Sequence, residues 1–80
     1  MRDIPSLEHD READRVYVIL LNLPLHHRRN LDNMRSIDYS EDDRSIGVSL
    51  LDVSYGVNLD NLPQREVLAS LLDENGIVHN

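Results

Sequence analysis

Residues 44–53, Arg-Ser-Ile-Gly-Val-Ser-Leu-Leu-Asp-Val, carry the clearest strand pattern in the chain. Apolar positions alternate there with small or polar ones, which is typical of a strand with one buried face. The apolar side is formed by Ile46, Val48 and Leu50. Residues 34–39 are a second candidate strand, and the four polar residues 40–43 between the two predict an antiparallel hairpin.

A further strand is predicted over residues 15–21, which are rich in β-branched and aromatic residues and are followed by Asn22 and Pro24. One of its faces carries Val16, Val18 and Leu20. The other carries Tyr17, Ile19 and Leu21. Because both faces are apolar, both require a cover. The polar residues 1–14 are predicted to end in a turn over residues 9–14 that leads into this strand. Residues 22–32 are predicted to form a loop, since Pro24 cannot donate to a strand ladder.

Helix-start chemistry is found at Asn61, whose side chain can accept from free amides, with Pro63 suited to the first turn and Gln64 three residues after Asn61. A helix is therefore predicted over residues 62–74, with Gly76 as its C-terminal cap. Its apolar stripe consists of Val67, Leu68, Leu71 and Leu72.

The order strand, strand, strand, helix predicts an α+β fold. In that fold an antiparallel three-stranded β-meander packs on one C-terminal helix, within a single domain 1–80. The helix stripe is expected to cover the inner faces of residues 15–21 and 44–53. Asp73 and Glu74 lie in the last helical turn, where the macrodipole disfavours anions, so that end is expected to fray.

The composition restricts the possible partners of the chain. Its 80 residues include no cysteine, and 15 acidic against 8 basic residues give a net charge of −7. An acidic surface of this kind does not attract phosphate, so no nucleic-acid partner is expected. No membrane partner is expected either, because no apolar run is long enough for a span and no apolar signal segment is visible. A cytoplasmic location is the expectation.

Two stretches resemble a known family. Residues 10–20, DREADRVYVIL, resemble the opening strand of the domain of unknown function 2283 family, and residues 37–54, IDYSEDDRSIGVSLLDVS, resemble its hairpin. The resemblance implies a small prokaryotic protein without an assigned activity, often the smaller partner in a two-gene toxin–antitoxin module. The chain departs from the family pattern at His9, Asp43 and Ser49, and Asp43 replaces a glycine that favours a tight turn.

Candidate ligand sites are few. His9, Asp10 and Glu12 could form a metal site, but their spacing matches no known ligand pattern, and a solvated turn is the preferred interpretation. The basic cluster at residues 26–29 is interpreted as a solvated loop. The chain has no glycine-rich phosphate loop, no nucleophile elbow and no cysteine nucleophile. No catalytic residue, cofactor or metal is therefore assigned, and the protein is not expected to be an enzyme.

The remaining hypothesis is a protein-interaction module. One helix covers only one sheet face, and exposed apolar area usually marks an interface. The predicted interface combines this apolar face with the acidic turn and comprises Tyr17, Ile19, Leu21, Leu51, Glu41, Asp42 and Asp43. Two partners fit it: a basic toxin-like protein that the chain masks, or a second copy in a structural homodimer, with a small-ligand site between the subunits as a variant.

Overall fold

The computed structural model of the chain describes residues 4–80, and these are organised around one antiparallel sheet. The strands are β1 (Ser6–Asp10), β2 (Arg15–Ile19), β3 (His27–Asn30), β4 (Arg35–Tyr39) and β5 (Ser45–Leu51). They lie in the order β1-β2-β5-β4-β3. One helix, α1 (Arg65–Glu74), follows the sheet. The α+β class is therefore confirmed, but the sheet has five strands rather than three.

The central position belongs to β5, the longest strand. Val48 of β5 lies opposite Val18 of β2 on one side and opposite Ile37 of β4 on the other. All three side chains are buried. The predicted β4–β5 hairpin is confirmed, but the predicted meander is wrong, because β2 pairs with β5 instead of β4. A central strand is flanked on both edges, so this position buries the most regular apolar alternation of the chain.

The two strands that the sequence pattern missed are the edge strands β1 and β3. All four residues of β3 are exposed and polar. The expected loop over residues 22–32 is wrong there, because backbone pairing with β4, rather than an apolar face, forms this strand. The turn expected over residues 9–14 is present at residues 11–14, but it follows a strand, Ser6–Asp10, that was not predicted. Residues 1–3 lie outside the described part of the chain.

One face of the sheet, here called the covered face, packs against α1 and the segment that precedes it. The buried cluster on this side comprises Val16, Val18, Leu20, Ile37, Val48, Leu50, Val53, Val57, Leu59, Leu62, Leu68, Leu72 and Ile77. Within the predicted helix stripe, Leu68 and Leu72 are fully buried, whereas Val67 and Leu71 are only partly buried and pack at the margin of the cluster. As expected, the helix shares one core with β2 and β5, and it also lies close to β1.

The helix begins at Arg65 rather than at residue 62. Asn61 and Gln64 adopt left-handed backbone conformations with φ of 65° and 50°, which helical geometry does not accept. Gln64 occupies the N-cap position and its side chain makes no capping hydrogen bond. The predicted cap at Asn61 and the predicted start at residue 62 are therefore wrong, because two left-handed residues interrupt the backbone before the helix.

The helix ends at Glu74, as predicted, and Gly76 is part of its C-terminal cap. This glycine has φ of 68°, and its N–H donates to the carbonyl of Asp73 at 3.1 Å, while the N–H of Ile77 donates to the carbonyl of Leu72 at 2.9 Å. These two bonds form a Schellman cap. His79 faces the last turn, with its Nε2 atom 2.8 Å from Asp73 Oδ1. The last turn of α1, which was expected to fray, thus has a contact with His79 of the C-terminal segment.

The C-terminal segment is fastened to the loop after β5. Val57 N donates to the carbonyl of Val78 at 2.8 Å, and Asn80 N donates to the carbonyl of Val57 at 3.1 Å. The side chain of Asn80 accepts from Leu59 N at 2.8 Å. Over residues 4–80, no helix is long and apolar enough to cross a membrane.

Candidate interaction surfaces

The sheet face opposite α1, here called the open face, is built from two rows of side chains that cross all five strands. Directly paired residues share a face, so the rows follow from the strand register. The first row is Ser6, Ile19, Gly47, Asp38 and Arg28. The second row is Glu8, Tyr17, Ser49, Ser36 and Asn30. The open face is therefore mainly polar.

A buried carboxylate organises the open face. Asp38 is 2% exposed and accepts three hydrogen bonds. Arg28 Nε donates to Asp38 Oδ1 at 2.6 Å and Arg28 Nη2 donates to Oδ2 at 3.2 Å. The hydroxyl of Tyr17 donates to the same Oδ2 at 2.7 Å. The two-pronged contact with Arg28 and the third donor satisfy a charge that burial would otherwise penalise.

Gly47 makes this network possible. It lies in the first row between Ile19 and Asp38, and the Tyr17 ring passes over it to reach the carboxylate. A Cβ atom at this position would overlap the Tyr17 hydroxyl and lie 2.7 Å from Tyr17 Cζ. Because Gly47 has no side chain, the Tyr17 ring can occupy the space above it.

The network changes the acidity of its members. Burial by itself raises the pKa of Asp38, but the hydrogen bonds from Arg28 and Tyr17 and the charge of Arg28 outweigh it and hold this pKa below its usual value. Burial, followed by the hydrogen bond to Asp38, raises the pKa of Tyr17 to about 12. At neutral pH the carboxylate is therefore ionised and the phenol is neutral. Since both oxygens of Asp38 accept hydrogen bonds from side chains of the sheet, we interpret this carboxylate as a structural acceptor.

A shallow cleft of about 440 Å³ lies on the open face beside this network. It is lined by Glu8, His9, Asp10, Arg15, Tyr17, Arg28 and Ser49. Arg15 faces Asp10 across it with 3.6 Å between Nη2 and Oδ2. Both charge signs are present and partly paired, so the cleft offers no net attraction to one class of ion.

The acidic turn lies at the end of the sheet where β4 joins β5. Ser40 donates to Asp42, and Arg44 Nε donates to Asp42 Oδ2 at 2.8 Å. These two hydrogen bonds, that of Ser40 first, lower the pKa of Asp42. Asp43 has φ of 64°, which explains why a glycine would suit this position, and its Oδ1 lies 3.5 Å from His27 Nε2. Glu41 has no ion-pair partner among residues 4–80.

The connection from β2 to β3 passes the same end of the sheet. A cleft of about 530 Å³ separates it from the acidic turn and is lined by Leu23, Pro24, Leu25, His26, Ser40, Glu41, Asp42 and Arg44. Leu23 is 37% exposed and Leu25 is 57% exposed. We call this cleft and its lining residues the acidic-end surface. Two exposed leucines thus line the same cleft as Glu41.

The predicted interface residues are divided between these regions. Tyr17 and Ile19 are partly buried on the open face. Leu51 lies opposite Arg15 on that face, near the end of the sheet remote from the acidic turn. Leu21 lies where the chain leaves β2, and its N–H donates to the carbonyl of Ile46 at 3.2 Å. Residues 41–43 belong to the acidic end, so the structure brings together only part of the predicted set.

Sequence reasoning missed Asp38, Arg28, Leu23 and Leu25. Asp38 alternates with the apolar Ile37 in β4, and a charged residue at such a position is expected to face solvent. The sequence pattern therefore does not indicate that Asp38 is buried. Arg28 was placed in a loop, although a cation in an edge strand opposite a carboxylate is a recognisable cross-strand pair once the register is known. The alternation of Leu23 and Leu25 around Pro24 was the available signal for an apolar lining.

The other candidate clusters have structural roles. Asp10 Oδ1 accepts from the amide of Ala13 at 3.1 Å, as expected for a solvated turn. Nowhere in residues 4–80 do three metal-ligating side chains converge. Within the basic cluster, His27 stacks on Tyr39 with 5.1 Å between ring centroids.

A scan of the chain against protein-family models, a search of curated proteins and a search of solved structures each found no match.

Proposed function

We propose that the protein is a non-enzymatic interaction module that binds a basic, partly apolar protein surface through its acidic-end surface. The observation that carries this proposal is the cleft of about 530 Å³ in which Leu23 and Leu25 lie beside Glu41. Interfaces generally combine a few apolar anchors with a polar rim. The two leucines supply the anchors, and the acidic turn supplies one side of the rim.

The charge of the chain supports a basic partner. A net charge of −7 creates a long-range field that accelerates encounter with a positive surface. At the acidic end, Arg44 compensates Asp42, but Glu41 has no such neighbour in the described chain. The Glu41 side chain is therefore available to a cation of the partner, while Asp42 is held in place as part of the turn.

The identity of the partner is proposed from the family resemblance. The similarity of residues 10–20 and 37–54 to the domain of unknown function 2283 family favours an antitoxin-like role, in which the chain masks a small basic toxin-like protein. Arg28 and Tyr17 hydrogen-bond both oxygens of Asp38, which supports a structural rather than a catalytic role for this carboxylate.

The test uses a small basic protein encoded by the neighbouring reading frame, with association and dissociation rates measured by stopped flow. Glu41→Ser should slow association at low salt and lose this effect at high salt, since exposed charges are screened beyond about 8 to 10 Å. Leu25→Ser should speed dissociation with little effect on association. Glu66→Ser is the matched control, because Glu66 is an exposed acidic residue of α1 that does not line the acidic-end cleft. Equal effects of Glu41→Ser and Glu66→Ser would reduce the interaction to net charge and contradict the proposal.

A structural homodimer is the second candidate. Met34 and Leu51 are 50% and 42% exposed, and Leu51 N donates to the carbonyl of Met34 at 2.8 Å, so two exposed apolar residues are neighbours at the other end of the sheet. A second copy covering this patch would satisfy it. Light scattering on a sizing column distinguishes the candidates: a monomer at tens of micromolar would remove the homodimer and leave the hetero-partner proposal.

A further inference from the structure

The outer edge of β3 leaves backbone groups unpaired. Leu31 N donates to the carbonyl of Arg35 at 2.8 Å, and hydrogen-bonded positions recur at every second residue of an antiparallel ladder. Arg29 and His27 therefore direct their N–H and C=O groups to β4. The corresponding groups of Arg28 and Asn30 point away from the sheet, and within residues 4–80 no other strand lies on that side.

The side chains of β3 do not block this edge. Charged edge residues usually hinder the addition of another strand. Arg28, however, is held over the open face by its two hydrogen bonds to Asp38. His27 and Arg29 alternate with Arg28 and so lie on the other side of the sheet, where His27 stacks on Tyr39. The backbone between them is therefore accessible.

The charge on this edge is not compensated. Five arginines of the described chain each lie beside an aspartate: Arg15, Arg28, Arg35, Arg44 and Arg65. Arg29 is exposed and has no such neighbour in residues 4–80. An otherwise acidic protein thus presents a positive charge beside an unpaired strand edge.

We propose that β3 binds an extended acidic segment of another protein, which adds to the sheet as a sixth strand. Backbone hydrogen bonds to Arg28 and Asn30 supply the pairing, and acidic side chains of the added strand face Arg29. A second copy joined through β3 is disfavoured, because arginines of the two copies would then meet across the new pair. This proposal concerns a different surface and does not depend on the acidic-end surface.

The experiment measures amide hydrogen exchange by nuclear magnetic resonance with a short probe peptide of alternating glutamate and valine. The peptide should slow exchange of the Arg28 and Asn30 amides. The same peptide with alternate N-methyl groups cannot form the backbone bonds and should bind about tenfold more weakly. A peptide with lysine in place of glutamate should also fail to protect these amides.

Two matched variants test the charge. Arg29→Ser should weaken binding of the acidic peptide about threefold, as expected for an exposed ion pair. Arg11→Ser removes the same charge from the turn that joins β1 to β2, on the side of the sheet opposite β3. It should leave the affinity unchanged. Equal binding of the N-methylated peptide would overturn the proposal. Slower exchange of the Leu7 and His9 amides of β1, in place of those of β3, would also overturn it. Slower exchange of the Arg28 and Asn30 amides at higher protein concentration without peptide would identify a second copy as the occupant and would likewise overturn it.

Discussion

The two faces of the sheet use the same register in opposite ways. On the covered face, one row across four strands is formed by Leu7, Val18, Val48 and Ile37, which pack beneath α1. On the open face, the neighbouring row contains Gly47, Asp38 and Arg28. One face is closed by apolar packing against a second layer, and the other is closed by a hydrogen-bonded network within the sheet itself. A sheet face without a covering helix can thus still hold a buried side chain.

The largest expected effect breaks the covered face. Leu68→Ala should lower the free energy of unfolding by about 2 to 5 kcal/mol, because Leu68 is fully buried in the core. Leu71→Ala removes the same atoms from a partly buried position and should cost less. Chemical denaturation of both variants measures the difference. Equal losses would show that α1 does not dock with Leu68 inward.

The next effect breaks the open face by filling its gap. Gly47→Ala should cost about 1 to 3 kcal/mol, because the new methyl group displaces the Tyr17 ring. In a Tyr17→Ala background the same substitution should cost much less, since the ring is gone. Denaturation of the two single variants and the double variant gives the coupling energy. Additive losses would mean that Tyr17 does not pass over Gly47.

A third substitution tests the charge in the network. Asp38→Asn should destabilise the protein by about 1 to 3 kcal/mol at neutral pH, because the amide cannot accept all three hydrogen bonds. The pKa of Asp38 is lower in the folded state, so the stability that its ionised form contributes is present above the unfolded pKa of about 4 and is lost as pH falls through the folded pKa. The difference in the free energy of unfolding between wild type and Asp38→Asn should therefore become smaller as the pH falls. A difference that stays constant down to the acid transition would contradict an ionised Asp38.

The smallest effect concerns the phenol. Tyr17→Phe should cost about 1.5 kcal/mol, the lower end of the contribution of a hydrogen bond to a charged group. Because the pKa of Tyr17 is raised to about 12, the stability that its neutral form contributes is retained up to about pH 10, the usual tyrosine value, and is lost as pH rises toward 12. Ultraviolet titration of wild type minus Tyr17→Phe should show a phenol that ionises near pH 12. A difference that titrates at the usual value would place Tyr17 away from Asp38.

The contrast between the faces also explains which parts of the fold were predictable. Local apolar alternation predicts strands β2, β4 and β5. The capping glycine, Gly76, predicts the end of α1. The position of β5 in the centre does not follow from such local patterns, because strand order depends on pairing between distant segments. Strand β3 is held by backbone pairing and by polar and aromatic contacts of Arg28 and His27 with β4, and it has no apolar pattern to detect. The helix start was missed because left-handed residues such as Asn61 and Gln64 look like ordinary helix-start residues in a sequence.

The candidate site was predictable in part for the same reason. The acidic turn at residues 41–43 is visible as a run of charges between two strands. The apolar side of β2 was also visible, but Tyr17 is drawn into a polar network by Asp38, a contact across 21 positions of the chain. The leucines beside the acidic turn come from the connection between β2 and β3, and their neighbourhood depends on that connection crossing the end of the sheet.

The most direct test of the proposed function is to locate where the basic partner binds, using amide chemical-shift changes in the chain. We expect the largest changes at residues 23–26 and 40–44, which form the acidic-end surface, with small changes on the open face and α1. Leu25→Ser should reduce the changes at both segments together. Changes centred on α1, or on Tyr17 and Ser49 of the open face, with the acidic end unaffected, would contradict the proposed function.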